Sequence, residues 1–225
     1  MPDNVFLDKG ILLGYCFTVD KHHQKCKDYL SKQGPEVYIT EYIDGVYEAK
    51  VETLIKRHRE AILDHVNDLT RSHFDGEIGP MEAKKIKSQM LTTKNEAWRY
   101  LRDYYDNISI SSVYQVKDEL RGLTRELDKL AEERKEEFDE RVQIWTREKE
   151  YSHLEEDLGA LKADDEEDYW VCVDAHDFAD RTDGETELAT NNPSDYGENS
   201  HGPAILEHTA IDTIEIVAVT KPRQI

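Results

Sequence analysis

Two short runs rich in β-branched and aromatic residues, VFL at 5–7 and EVYIT at 36–40, flank a segment with helical spacing. This spacing constrains the fold more than any other feature. Parallel strands cannot be joined by a tight turn; they need a crossover of roughly a dozen residues or more, usually helical. Residues 11–17 are apolar and lead into a predicted helix over 20–34, with Asp20 as its cap, Gly34 as its end, and Cys26, Tyr29 and Leu30 on its inner face. The first 40 residues therefore predict a βαβ unit.

Thr40 is placed to cap the next helix, which runs through EYIDGVYEAKVETLIKRHREAILDHVNDL. Its apolar residues Ile43, Val46 or Tyr47, Val51, Leu54 or Ile55, Ile62, Val66 and Leu69 keep helical spacing. FDGEIGP breaks it, and a second helical stretch is predicted from 81 to about 105. Leu120, Leu123, Leu127, Leu130, Phe138, Val142 and Trp145 then predict an amphipathic helix over about 113–149, unbroken or broken once, packing its stripe on the domain or projecting as an arm. KADDEEDYW reads as an acidic linker, and DAHDFA as a helix or strand. ELAT reads as a strand, NNPSDYGENSHGP as a turn-rich loop, AILEHTAI as a short helix and IEIVAV as a closing strand. This order predicts an α/β fold: one domain over 1–225, with a parallel sheet flanked by helices and a long helical insertion over 75–162.

The chain of 225 residues carries 49 acids against 29 lysines and arginines, a net charge of −20. Spread evenly, this charge would repel a nucleic-acid backbone, whose affinity for proteins comes mainly from Lys and Arg. Either the acids serve a metal site, or the chain is adapted to high intracellular salt, where screening shrinks self-repulsion. The acids are spread along the whole chain, which favours salt adaptation. Three cysteines without a CxxC pair predict a reducing compartment and no disulfide framework. HHQKC offers His22, His23 and Cys26, but zinc would need a fourth ligand from elsewhere. The start of the chain lacks a basic, apolar leader, and there is no apolar run of ~18 residues. A soluble cytoplasmic protein without a membrane partner is expected.

Ligands of parallel α/β sheets bind outside the carboxyl ends of the strands. Asp8 follows VFL; Asp44 and Glu48 lie on one face of the helix after VYIT; Asn192 and Asp195 follow ELAT; Asp168 heads the preceding segment. Carboxylates converging there would repel one another unless a cation intervened, and hard oxygen donors suit Mg2+ or Mn2+.

The stretches VFLDKGILLGYC, VYITEYIDGVYEA, DYWVCVDAHDFA and ELATNNPSDYGE together resemble the motifs of PIN domains, with DTIEIVAV as the last strand. The resemblance touches both ends of the chain and not the helical middle. It implies a metal-dependent ribonuclease using Mg2+ or Mn2+, with RNA as substrate; many PIN proteins are toxins paired with an antitoxin protein, and homo-oligomers are a further expectation. Asp8 matches the first acid, and Glu48 or Asp44 the second. Asp168 matches the third, with Asp165 and Asp174 as other registers. Asn192 and Asp195 match the fourth motif, with Thr190 as the hydroxyl residue before them. The resemblance thus implies catalytic roles for Asp8, Glu48, Asp168 and Asp195, and metal ligands among Asp8, Asp44, Glu48, Asp168, Asn192 and Asp195.

Lys9 and Gly10 stand where Thr and Asn are usual in that family, so Lys9 is expected to fold toward the site and supply part of the metal's charge. A catalytically degenerate PIN-like binding or assembly module is the alternative. A dehalogenase-like phosphatase also begins from a strand-terminal Asp but expects another at the position of Gly10. KRHR at 56–59 and KKIK at 84–87 are candidate RNA contacts, or solvated helix faces.

Overall fold

Val5, Phe6 and Leu7 run fully buried through the middle strand of a parallel sheet. A computed structural model of the chain describes residues 2–218, apart from 33, 35, 73–75 and 94 and the side chains of 91–93. In chain order its elements are β1 (Asn4–Leu7), α1 (Lys9–Cys16), α2 (His23–Leu30), β2 (Val37–Thr40), α3 (Glu41–Arg71), β3 (Glu77–Ile78), α4 (Pro80–Thr93), α5 (Trp98–Asn107), β4 (Ser111–Ser112) and α6 (Val113–Asp139). They continue with β5 (Gln143–Trp145), α7 (Ser152–Asp157), α8 (Gly159–Asp164), α9 (Glu166–Arg181), β6 (Thr186–Thr190), α10 (Pro193–Tyr196), α11 (Gly202–His208) and β7 (Thr213–Ile216).

The main sheet has the order β5-β2-β1-β6-β7, and all its pairings are parallel. The expected α/β architecture, a parallel sheet flanked by helices, is what the structure has. Helix α9 covers one face: Phe178 packs against Phe6, Tyr38 and Trp145, with ring centroids 5.7, 4.6 and 5.0 Å away. The chain leaves β1 for β2 on one side and adds β6 on the other. The order therefore reverses between β1 and β6, and a crevice opens outside their carboxyl ends, where ligands of such sheets bind.

Thr40 caps α3 as predicted, its hydroxyl accepting from the Ile43 amide. The α3 stripe buries Ile43, Val46, Ile62, Val66 and Leu69. It packs against α6 in an antiparallel sense: Tyr47 donates to the Ala131 carbonyl at 3.1 Å, and Arg59 to the Thr124 carbonyl at 3.0 Å. Helices α4 and α5 and the small antiparallel pair β3–β4 close the far end of this arm, around Ile78, Ile86, Leu101 and Tyr105. The arm and the sheet share one hydrophobic core, joined where Tyr15 of α1 meets Phe138 and where Phe17 meets Tyr47.

Four predicted elements differ. The helical stretch expected from 81 to about 105 is two helices, α4 and α5. The helix expected to reach 149 stops at Asp139, and 143–145 instead form β5, the edge strand beside β2. The stretch read as an acidic linker belongs to α8 and the start of α9. The turn-rich loop contains the one-turn α10, begun by Pro193 at its first position. Asp75, the expected start of the insertion, and Val219, the end of the predicted last strand, lie outside the described residues.

Candidate metal centre

Asp8 stands at the end of β1 and begins α1, with 1% of its surface exposed. Its amide donates to the Ala189 carbonyl of β6 at 2.9 Å, so the strand ladder fixes its backbone. Thr190, the last residue of β6, donates its hydroxyl to Asp8 Oδ2 at 2.7 Å, while Asp8 Oδ1 is buried without a partner. Burial and then the charge of Asp168 push the Asp8 pKa up from 3.8 to about 6; Thr190 and Lys9 offset part of this.

Asp168 lies in the first turn of α9, fully buried. Acids gather in this turn because a helix N-terminus carries partial positive charge and unpaired amides. Asp165 caps the helix, accepting from the Asp168 amide at 3.1 Å, and Glu166 and Glu167 lie between them. Burial raises the Asp168 pKa, against the pull of Lys9.

The turn after β6 completes the cluster. Asn192 caps α10 through its side-chain oxygen, which accepts from the Ser194 amide at 3.2 Å. Its Nδ2 donates to Asp168 Oδ2 at 3.0 Å and also to Asp195 Oδ2. The amide thus ties two carboxylates together. Ligand atoms of Asp165, Asp168 and Asp195 all lie within 4.8 Å of one another, a spacing that suits one cation.

Lys9 folds into this cluster. Its ammonium lies 2.6 Å from Glu167 Oε2 and 2.9 Å from Asp168 Oδ1, and the side chain is 15% exposed. Burial alone would lower the Lys9 pKa; the bonds to Glu167 and Asp168 outweigh it and raise it. The same contact lowers the Glu167 pKa.

The predicted acids divide accordingly. Asp168, Asn192 and Asp195 come together with Asp165, and Asp8 lies close enough to Asp168 for the charge of Asp168 to raise the Asp8 pKa. Asp44 turns to the far side of α3 and pairs with Lys135 of α6 at 2.7 Å. Glu48, one turn further, is exposed. From α3, Tyr42 reaches the cluster with its hydroxyl against Glu167, and the charge of Lys50 also acts on Glu167. Asp174 sits two turns down α9, where Arg147 holds it at 2.8 Å. Sequence reasoning missed Glu167, Tyr42 and Asn191. Nothing local marked Tyr42, because packing of α3 decides which of its first-turn residues face the cluster. Asn191 donates to the Gly10 carbonyl at 2.7 Å.

The basic segments are largely committed elsewhere. Arg57 pairs with Glu96, Arg59 with Asp128 at 2.6 Å, and Lys87 with Asp106, all within the arm. Among the described residues no helix is long and apolar enough to cross a membrane. No family model matches the chain, and searches of curated proteins and of solved structures return no match.

Proposed function

We propose that the crevice between β1 and β6 is a divalent-cation centre of PIN-like type that cleaves RNA. The observation that carries this reading is the convergence of Asp165, Asp168 and Asp195 beside a buried carboxylate, Asp8, one of whose oxygens has no partner. Buried polar atoms without partners are uncommon and call for an explanation, an ion or a water among them. An all-oxygen donor set fits Mg2+ or Mn2+. Asp165, Asp168 and Asp195 would hold the ion, with Asn192 keeping the last two in register. When bound, such an ion polarises a phosphoryl oxygen and lowers the pKa of water. Asp8 Oδ1, held rigidly at the strand end, is the acceptor for the proton of the attacking water. Thr190 fixes the other Asp8 oxygen, which leaves Oδ1 as the atom free to accept. In this reading RNA is the substrate, and an antitoxin protein the partner if the chain acts as a toxin.

The test is cleavage of a mixed-sequence RNA by purified protein with Mn2+ or Mg2+, alongside calorimetric titration with Mn2+. Asp195→Asn should weaken Mn2+ binding at least tenfold and abolish cleavage. Asp8→Asn should abolish cleavage with a smaller effect on binding. The ion pair from Lys9 to Asp168 favours a second reading, a binding or assembly module whose centre is neutralised from within. Wild type that neither binds Mn2+ nor cleaves RNA would remove the first reading and favour the second.

A further inference from the structure

Asp168 is shared between two positions in the crevice. Its Oδ2 accepts from Asn192, which also bonds Asp195, and Asp165 and Asp195 both approach Asp168 within 4.8 Å. Its Oδ1 faces Lys9, which also reaches Glu167 and lowers the pKa of Asp8. The first position is lined by three carboxylates and an amide, with none of the described ion pairs placing a basic group on Asp165 or Asp195. The second is lined by Asp8, Asp168 and Glu167, and an ammonium already sits in it.

We propose that Lys9 acts as a tethered cation that fills the Asp8 side of the centre, so that the protein takes a single divalent ion, on the Asp165 side. The proposal rests on the metal-centre reading and sets its stoichiometry. An ammonium stays about 2.6–2.9 Å from its carboxylates, whereas Mg2+ binds oxygen at about 2.0–2.1 Å. The tethered charge therefore neutralises the cluster without replacing a divalent ion as a Lewis acid. It also keeps Asp168 paired in the metal-free protein, since an isolated buried carboxylate is costly. Lys9 is in this sense a residue that selects how many ions enter, acting through Asp168 rather than on substrate.

The experiment is Mn2+ titration followed by calorimetry and by the electron paramagnetic resonance signal of free Mn2+. It compares wild type, Lys9→Met and Lys9→Gln; the glutamine keeps hydrogen bonding to Glu167 and Asp168 and guards against failure of the methionine variant to fold. Wild type should bind one Mn2+, lost in Asp195→Asn. The Lys9 variants should bind two, or one at least tenfold more tightly, and their melting temperatures should rise more on Mn2+ addition than that of wild type. Two ions in wild type, or unchanged number and affinity in both Lys9 variants, would overturn the role of Lys9 and leave the metal centre standing. Absence of Mn2+ binding in wild type and in both variants would remove the centre itself, and the proposal with it.

Discussion

Replacing Asp8 by Asn should make the metal-free protein more stable at neutral pH, even though it deletes a charge at the heart of the proposed site. Asp8 is 1% exposed and titrates near 6, against 3.8 for an ordinary aspartate. For an acid, a folded-state pKa above the unfolded one means that ionisation opposes folding. The opposition is complete above about pH 6, shrinks as pH falls from 6 toward 3.8, and vanishes below. At ~1.4 kcal/mol for each pH unit between the two values, it amounts to about 3 kcal/mol at pH 7. Asparagine is neutral throughout and keeps an oxygen to accept from the Thr190 hydroxyl, so the substitution removes the cost without orphaning its neighbour.

Urea unfolding in EDTA, at pH 7.5 and again near pH 4, reads this directly. Asp8→Asn should be more stable than wild type by roughly 2–3 kcal/mol at pH 7.5 and about equal to it near pH 4. For a chain of this size the pH 7.5 gain corresponds to a melting temperature higher by roughly 5–10 °C. Asp174, also near 6 because of burial, and the buried His58 and His65, held low by burial, titrate in both proteins and cancel in the difference. Saturating Mn2+ should stabilise wild type more than the variant and narrow the gap. Equal stability of the two proteins at pH 7.5, or a gain that persists unchanged near pH 4, would refute the argument that an ionised, poorly solvated Asp8 is the source of the cost.

Two further outcomes follow from charge and from the sheet edge. If the net charge of −20 reflects a saline cytoplasm, the melting temperature should climb steadily from low to molar KCl as the screening length falls from about 10 Å at 0.1 M to about 3 Å at 1 M; a flat profile would return the acidity to a specific function. Asp177, fully buried, accepts from Trp145 at 3.0 Å, Tyr151 at 3.0 Å and Arg181 at 3.1 Å, so Asp177→Ala should cost about 3–5 kcal/mol and strip hydrogen-exchange protection from 143–145 before the central strands; protection there equal to wild type would refute its role in docking β5.

How much of this was legible in the chain depended on whether local or distant residues decide each element. β1, β2 and α3 were legible because apolar pattern and cap coincide: VFL and VYIT are short buried runs, and Thr40 sits immediately before a helical stripe. β5 was not. Val142 and Trp145 continue the α6 spacing, and Ile144 is half exposed, so nothing local distinguishes a strand from one more helical turn. The pairing of Tyr38 with Gln143 and the hydrogen bond from Trp145 to Asp177 decide it, and both partners are far off in sequence. The site divides in the same way. Asp8, Asp168 and Asp195 were legible as acids at strand ends and helix starts. Asp44 and Glu48 share a face, as their spacing requires, but the sequence does not say which way that face points; Lys135 of α6 draws Asp44 to the other side.

The structure gives a reason for treating residues 9 and 10 as one unit. Gly10 has no Cβ, and the space is taken by Asn191: a Cβ there would lie 2.0 Å from Asn191 Oδ1 and 3.2 Å from Asp8 Oδ2. The amide of Asn191 occupies that space from the end of β6 and donates to the Gly10 carbonyl. An amide group therefore stands beside the Asp8 turn after all, supplied by the neighbouring strand rather than by position 10. Any side chain introduced at 10 must first displace it. At position 9 a long cationic side chain reaches Asp168 and Glu167, where a threonine would be too short. Glycine at 10 and lysine at 9 thus act together: β6 supplies the amide beside Asp8 and α1 supplies the charge.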